Sequence, residues 1–364
     1  MSYLKDFCEI ITKGTTPSTY GYSFKNSGIK FIRSENITDS RIISKVSLYI
    51  SKEANEKLKR SILLKDDVLM SIAGAYLGKL ALITEMDLPS NTNQAVAIIR
   101  TDKSKLNPLY LYYYLSSYKM QCYINNVNAQ SAQPNINLQQ IGDININVPS
   151  LNYQQHIVDI IGSLDDKIEN NNKIIEKIDK LGLSKYKKIK NDFIDFNDFA
   201  NFEKGKEASS QNYMSEKNNE NINFIRVKDL NSLTDTYISK TLDIPVAKPN
   251  DVLISFDGAI GRINYGLMGA YSSGIYKVIP KFTNDYGILY WSLKDNTNQQ
   301  IMLEHTNGTT ILHGSKSIKY LKIKKHLQDD IDYFNKIFDY SLNIKLENIK
   351  LCELKKLYLK KFFG

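Results

Sequence analysis

The chain has 364 residues, a formal net charge of +9 and 42% hydrophobic residues, with Lys plus Arg outnumbering Asp plus Glu by 48 to 39. This is the composition of a globular protein, and the length predicts two domains. The three cysteines lie far apart without a C-x-x-C pair, which argues against a disulfide framework and against a cysteine zinc site.

Targeting and membrane signals are missing from the sequence. The first residues lack the apolar core of a signal peptide, and no window approaches the roughly 18–20 apolar residues of a membrane span. We therefore expect a cytoplasmic protein that has no membrane partner. The positive charge fits nucleic acid, an anionic surface or an acidic partner, and does not choose among them.

Segments of the first half recur in the same order in the second half. Each match is short, but their common order predicts a domain followed by a helix, repeated once. The period is far too long for a solenoid repeat. The matched pairs are residues 29–37 with 222–230, 65–79 with 248–262, and 109–117 with 287–295.

Within each predicted domain, strands alternate with turns and one helix. Residues 107–126 predict a helix that Asn107 caps, and residues 285–295 predict its counterpart. Residues 74–78 (GAYLG) and 258–261 (GAIG) predict tight turns between strands. The β-branched runs that predict strands are IKFIR, VLMSIAG, AVAIIR, VLISF and YKVIP.

A long amphipathic helix follows each predicted domain. Its single apolar stripe needs a partner, and the repeat supplies one, so we predict an antiparallel coiled coil. Asn171 lies in the stripe, where it either fixes the register or the oligomeric state or is simply solvated. The residues predicted to pack the helix pair are Ile157, Ile161, Leu164, Ile168, Ile175 and Ile178 in the first helix and Ile331, Phe338, Leu342 and Ile349 in the second.

Catalytic signatures fail together. The four histidines form no H-x-x-x-H pair, and neither a G-x-x-x-x-G-K-[ST] loop nor a G-x-G-x-x-G turn occurs. The sequence therefore predicts that the chain is not an enzyme and holds no metal and no cofactor. Two other functions stay open. One is that of a self-contained DNA methyltransferase or nuclease with degenerate motifs, and the other is that of a coiled-coil scaffold that does not bind DNA.

Two loops and two arginines occupy equivalent places in the repeats. Residues 13–19 (KGTTPST) and 204–211 (KGKEASSQ) carry lysine, glycine and small hydroxyls, which can approach phosphates and base edges. The arginines would either read guanine or form ion pairs at the core edge. The candidate DNA-binding residues are Lys13, Thr15, Thr16, Arg33, Ser34, Gln130, Gln133, Lys204, Lys206, Arg226, Lys228, Thr309 and Thr310.

This arrangement resembles the DNA specificity subunit of type I restriction-modification systems. The resemblance covers essentially the whole chain and is strongest where VPSLNYQQHIVDIIGSLDDKI follows the family's P-x-L-x-x-Q pattern. It implies an α+β fold with two mixed α/β target-recognition domains and a pseudo-two-fold repeat. The implied divisions are target-recognition domains at 1–148 and 191–326 and spacer helices at 149–190 and 327–364.

The resemblance also implies a role. Each domain would read one half of a split, asymmetric target in double-stranded DNA, while the helix pair sets the spacing between them. Two modification subunits would bind adenosylmethionine, and two restriction subunits would use ATP and magnesium. The chain itself would bind no cofactor and catalyse no reaction.

Overall fold

The structure is a computed structural model that describes residues 2–364 except 39–40, 42, 44–45, 128–133, 232–233, 235, 283–284 and 307–312. The chain forms two compact units. Unit 1 contains Met1–Asp166 and Cys352–Gly364, and unit 2 contains Lys167–Leu351.

Unit 1 is built on two small sheets. Its strands are β1 (Cys8–Lys13), β2 (Ile29–Ile32), β3 (Tyr49–Ile50), β4 (Val68–Ser71), β5 (Leu80–Leu82), β6 (Ser90–Thr92) and β7 (Val96–Thr101). The larger sheet is antiparallel in the order β1-β7-β4-β5, and the smaller has the order β3-β2-β6. In the smaller sheet β2 runs parallel to β6, with Ile32 opposite Thr92.

The helices of unit 1 pack against both sheets, the first against the smaller sheet and the others against the larger one. They are α1 (Lys52–Lys57), α2 (Pro108–Ser116), α3 (Tyr118–Asn126), α4 (Leu138–Gly142) and the first part of α5 (Leu151–Lys188). As predicted, Asn107 caps α2, because its side chain accepts the Leu109 N–H. The single helix predicted over 107–126 is wrong: Ser117 adopts an extended conformation and its hydroxyl caps α3.

Unit 2 repeats this plan. Its strands are β8 (Phe193–Asp195), β9 (Ala200–Lys204), β10 (Asn221–Ile225), β11 (Tyr237–Ser239), β12 (Val246–Ala247), β13 (Val252–Ser255), β14 (Ile263–Asn264), β15 (Gly269–Tyr271), β16 (Ile275–Pro280) and β17 (Lys322–Lys324). Its helices are α6 (Tyr286–Lys294), α7 (Asn296–Glu304), the rest of α5 and most of α8 (Gln328–Phe363).

The strand orders of the two units correspond. The order β14-β13-β16-β9 of unit 2 mirrors β5-β4-β7-β1, and β11-β10-β15 mirrors β3-β2-β6 with β10 parallel to β15. Even single side chains correspond: Gln121 donates to the carbonyls of Gly78 and Leu115, and Gln299 donates to those of Gly261 and Leu293. The predicted internal repeat is therefore confirmed.

Segments of α5 and α8 pack against each other inside each unit. In unit 2, Lys185 pairs with Asp330, whereas Asn171 donates to Asn348, so the helices run antiparallel. In unit 1, Asp165 pairs with Lys355 at 2.7 Å. The predicted α+β fold class, with its antiparallel pair of long helices, is confirmed, while the predicted domain boundaries stay predictions.

The stripe residues of the long helices join the unit cores. Ile157 and Ile161 lie in the main core of unit 1 with Leu359 and Phe363 of α8. In unit 2, one core holds Ile178, Phe338 and Trp291, with Ile175, Ile331 and Leu342 partly buried against it. Leu164, Ile168 and Ile349 are half-buried. The core of each unit thus contains residues from both helices, although a packing role for each stripe residue stays a prediction.

Gln154, the glutamine of the P-x-L-x-x-Q pattern, ties α5 to unit 1. The side chain is fully buried; its Oε1 accepts the Asn107 N–H at 2.7 Å, and its Nε2 donates to the carbonyls of Lys105 and Pro149 at 2.9 and 2.8 Å. These three hydrogen bonds compensate for the free energy that burying the Gln154 amide away from water would otherwise cost. This motif residue therefore fixes where α5 begins against the loop before α2.

Candidate nucleic-acid interface

In unit 1 the loop after β1 packs against the end of the parallel strand pair. Gly14 donates its N–H to the Val96 carbonyl, and a Cβ at this position would lie 1.9 Å from the Thr92 carbonyl oxygen. The hydroxyl of Thr92 in turn donates to the Ile32 carbonyl at 2.8 Å. Glycine is required because only a residue without a Cβ allows this approach.

This packing brings distant candidates together. Lys13 is exposed at the end of β1, Thr15 and Thr16 are half-buried beside it, and the Thr16 hydroxyl is bonded to the exposed Gln94 side chain. Arg33 and Ser34 directly follow β2, which ends opposite Thr92. Arg33 is half-buried and paired with Glu35. Unit 1 thus has a polar surface, the first candidate surface, built from residues 13–16, 33–34 and 92–94.

Unit 2 assembles the same surface from its own residues. Gly205 donates to the Ile275 carbonyl, and a Cβ there would lie 2.3 Å from the Ser272 carbonyl oxygen. The Ser272 N–H donates to the Ile225 carbonyl, immediately before Arg226. Residues 204–207, 226–228 and 271–273 form this second candidate surface.

The cations of the second candidate surface are partly neutralised. Arg226 donates to Asp229 at 3.1 Å and to the Thr236 hydroxyl at 2.7 Å, with its guanidinium 5.6 Å from the Tyr213 ring centroid. Lys206 pairs with Asp243 and lowers the pKa of that carboxyl. A bonded arginine can keep its place while its remaining N–H groups face outward, so this geometry fits both alternatives that the sequence left open.

The second surface contains a carboxylate, that of Glu207, which the first surface lacks, and Glu203 directly precedes residues 204–207 of the second surface. Glu203 accepts from Lys277 at 2.7 Å and from the Tyr271 hydroxyl at 2.9 Å, and the lysine holds the pKa of Glu203 below its usual value. The exposed Glu207 accepts from Tyr213 at 3.0 Å and from Ser273 at 3.2 Å. Burial, followed by this bond to Glu207, raises the pKa of Tyr213.

The remaining candidates separate into two sets. Lys204 and Lys228 are exposed on the second surface, at the end of β9 and in the short helix after β10. Gln130, Gln133, Thr309 and Thr310 lie outside the described residues. Contacts of any candidate with DNA stay predictions.

Sequence reasoning missed the residues that complete each surface. Asn93 and Gln94 follow β6, and Ser272 and Ser273 follow β15. Both strands have only three residues, SNT and GAY, without the β-branched run that predicts a strand. The one available signal was the small, polar composition after the matched 65–79 and 248–262 segments.

Within the residues described, side chains that could hold a metal are not grouped anywhere: no cluster of three or more His, Cys, Asp or Glu is found. The described helices likewise include none with the length and apolarity to cross a bilayer. The GAYLG and GAIG segments lie in tight turns, with Gly74 and Gly258 both at a φ of 72°. They connect strands, as predicted.

Comparison with known proteins now adds a family to this geometry. Residues 1–180 match the sequence family described as the type I restriction modification DNA specificity domain. The match covers 180 of the 364 residues of the chain. The predicted resemblance is confirmed.

Individual relatives agree with the family assignment. The specificity subunit of the type I restriction enzyme EcoBI of Escherichia coli is 32% identical over 131 residues, which are 36% of this chain and 27% of the relative. The MjaIX specificity subunit of Methanocaldococcus jannaschii is 29% identical over 202 residues, 55% of this chain and 45% of the relative. The alignments thus span less than half of either relative. Both are named as specificity subunits, in agreement with the prediction that the chain is not an enzyme.

A solved structure extends the likeness in fold to the second half. The S subunit of a type I restriction-modification system from M. genitalium matches with a TM-score of 0.53 and 16% identity, over 100% of this chain and 95% of the other. At this identity the likeness concerns the fold alone. It covers both units, including unit 2, most of which lies beyond the family match.

Proposed function

We propose that the chain is the DNA-reading subunit of a type I restriction-modification complex and that it reads a split, asymmetric target. Residues 1–148 would read one half-site and residues 191–326 the other, with the segments 149–190 and 327–364 as spacer helices. The observation that carries this proposal is the pair of candidate surfaces, which share their backbone geometry and differ in their side chains.

The shared geometry supports a common task, and the different side chains support different half-sites. In both units a Lys-Gly loop lies against the end of a parallel strand pair, next to an arginine. Lysine near a backbone without side chains suits phosphate contact, whereas arginine, amides and hydroxyls suit base edges. Because Thr16 and Gln94 correspond to Glu207 and Ser273, the two surfaces present different donors and acceptors.

The chemistry would belong to partner subunits. Two modification subunits with adenosylmethionine would methylate adenine, and two restriction subunits would use ATP and magnesium, as the family resemblance implies. The chain would contribute recognition alone and would work in the cytoplasm, where bacterial and archaeal chromosomes lie. Its excess of positive charge would strengthen binding to double-stranded DNA.

A binding experiment tests the DNA proposal. The affinity of the chain, assembled with its modification subunits, for duplex DNA is measured from 50 to 200 mM salt. We expect the affinity to fall steeply, with a slope near −0.9 per phosphate contacted. Salt-independent binding, or tight adenosylmethionine binding by the chain without its partners, would contradict the proposal.

A second experiment tests the split target. The modification complex is expressed in cells that lack other adenine methylation, and methylated adenines are mapped across the genome. We expect one bipartite sequence with two different halves and a fixed spacer. A continuous or symmetric target would contradict the assignment of one half-site to each unit.

A further inference from the structure

Each candidate surface contains one side-chain bridge at a corresponding position. In unit 1, the residue two positions after Gly14 is Thr16, which bonds to Gln94, two positions after Thr92. In unit 2, the residue two positions after Gly205 is Glu207, which bonds to Ser273, two positions after Tyr271. We call these pairs the first bridge and the second bridge.

The bridges match in position and differ in chemistry. The first joins a hydroxyl on the loop to an amide after the strand, and the second joins a carboxylate on the loop to a hydroxyl after the strand. Gln94 offers both a donor and acceptors, whereas the ionised Glu207 offers acceptors alone. Both Gln94 and Glu207 are exposed, so each can reach a ligand without rearranging the core.

Resting on the function proposed above, we propose that the exposed member of each bridge reads one base: Gln94 reads adenine in one half-site, and Glu207 reads cytosine in the other. In the major groove, adenine presents a donor beside an acceptor, which a glutamine amide matches with two bonds. Cytosine presents the N4 amino donor, which a carboxylate accepts.

Electrostatics favours a base as the ligand of Glu207. Phosphates repel a carboxylate on a surface that faces DNA. The carboxylate is tolerated there when it accepts a hydrogen bond from a donor on a base edge. The exposed Lys204 and Lys206, the latter paired with Asp243, precede Glu207 on the same loop and supply positive charge that attracts phosphates. The lysines would therefore hold the backbone of DNA while the carboxylate meets a base edge.

The neighbours of Glu207 hold it in position before DNA binds. Tyr213 and Ser273 donate to its two carboxylate oxygens at 3.0 and 3.2 Å. Thr16 restrains Gln94 in the same way. Restrained side chains lose less conformational entropy on binding, so each bridge favours a single reading geometry.

The test exchanges the chemistry of the two exposed residues in the complex with modification subunits. Gln94→Glu is expected to change one position of one half-site from adenine to cytosine, and Glu207→Gln to change one position of the other from cytosine to adenine. The preference between adenine and cytosine at each of these positions should change by about 5- to 150-fold. Genome-wide mapping of methylated adenines reports the preferred base at every position.

Matched controls make the same chemical exchanges elsewhere. Gln139→Glu on α4 and Glu304→Gln at the end of α7 alter exposed side chains away from the bridges and should leave the target unchanged. Tyr213→Phe removes one bond to Glu207 but keeps the carboxylate, so cytosine should remain preferred with weaker discrimination. If Tyr213→Phe changed the preferred base as Glu207→Gln does, Glu207 would act through the loop and the inference would be wrong.

The outcomes separate this inference from the proposed function. A bipartite target that stays unchanged in both exchange variants would overturn base reading by the bridges and leave the proposed function intact. A wild-type complex that methylates no bipartite target would overturn both. Thermal unfolding of each variant confirms that a changed target comes from a folded protein.

Discussion

At the scale of single residues, corresponding turns of the two units differ in the ion pairs of their buried aspartates. Asp67 and Asp251 each accept the backbone N–H of the residue three positions earlier, at 2.7 and 2.8 Å. The Asp67 carboxylate also accepts hydrogen bonds from Arg100 Nε at 2.7 Å and from Arg100 Nη2 at 2.8 Å. No basic side chain is paired with Asp251 in the part of the chain that the structure describes.

Replacing these aspartates should therefore have unequal costs. Asp67→Ala leaves a partly buried guanidinium without its counter-ion and should lower the free energy of unfolding by about 3 kcal/mol. Asp251→Ala removes a turn bond and should cost about 1 kcal/mol. Denaturant unfolding of the two variants measures the difference, and equal costs would contradict the role of Arg100.

Lys345 is one of several lysines along α8, yet its amino group packs against buried residues of unit 2. The Nζ atom donates to Asn264 and to the Tyr265 carbonyl, and it lies 3.7 Å from the Tyr265 ring centroid. Burial lowers the pKa of Lys345 to about 7, although Asp179 raises it and Lys294 lowers it further. The folded state thus releases a proton that the unfolded state still holds.

This pKa predicts a pH dependence of stability. Between pH 7 and 10.5 the unfolded chain binds more protons at Lys345 than the folded chain, so the free energy of unfolding should rise with pH. Lys345→Met should flatten that rise, whereas the exposed Lys350→Met should not. Urea unfolding at several pH values gives both slopes, and identical slopes for wild type and Lys345→Met would contradict the prediction.

At the scale of elements, α5 uses glycine differently in its two halves. A Cβ at Gly182 would lie 2.1 Å from the indole of Trp291, which is fully buried in unit 2. A Cβ at Gly162 would meet the Tyr113 hydroxyl of unit 1 at 3.6 Å, an ordinary contact. The close approach of helix and side chain therefore requires glycine at position 182 but not at position 162.

The two glycines should respond to alanine with opposite signs. Gly182→Ala forces the indole to move and should destabilise the protein by about 1–3 kcal/mol. Gly162→Ala adds helix propensity without a clash and should stabilise it by up to about 1 kcal/mol. Thermal unfolding compares them directly; stabilisation by Gly182→Ala would show that Trp291 does not pack as described.

Asn171 shows how a polar residue fits in an apolar stripe. It is 1% exposed, and its Nδ2 donates to Glu347 at 2.7 Å and to Asn348 at 2.8 Å. The alternative of a simply solvated asparagine is therefore wrong. These bonds join α5 to α8 at one register, because a shift of either helix would leave the amide unpaired.

Asn171→Ala should lower the free energy of unfolding by about 1–2 kcal/mol, since it removes two bonds at a buried position. The neighbouring Asn170 is exposed, and Asn170→Ala should be neutral or slightly stabilising through helix propensity. Guanidinium unfolding measures both variants. Equal effects would mean that the bonds across the helix pair contribute nothing.

At the scale of the whole molecule, one fold plan occurs twice with different surface chemistry. Arg33 and Arg226 hold corresponding positions after β2 and β10, and each backbone N–H is bonded to a side chain three residues later, Asn36 or Asp229. The guanidinium groups differ in partners, with Glu35 in unit 1 and Asp229 with Thr236 in unit 2. Recognition by the two units should therefore be separable.

Arg33→Ala and Arg226→Ala should each relax one half-site and leave the other unchanged. A direct base contact is worth about 1–3 kcal/mol, so discrimination at one position should fall at least several-fold. Arg60→Ala, at an exposed position of unit 1, serves as the control. Mapped methylation in the three variants tests this, and relaxation of both half-sites by one substitution would contradict separate reading.

The sequence by itself determined the repeat, the strongly patterned strands, the long helices and the resemblance to a family. These features depend on local periodicity and on residue types that recur in order, as in β4 with β13 and in the 3-4 spacing of α5. The break at Ser117 and the short strands β6 and β15 escaped prediction, because a capping serine and three small or polar residues carry no periodic signal.

Only the tertiary structure decided which side chains meet. Thr16 with Gln94, Glu207 with Ser273, and Gly14 with Thr92 are brought together by the parallel strand pair, whose partners are far apart in the chain. Likewise, Lys345 resembles any solvated helix lysine until Tyr265 encloses its amino group. Contacts of this kind depend on distances between remote segments, and a one-dimensional pattern does not contain those distances.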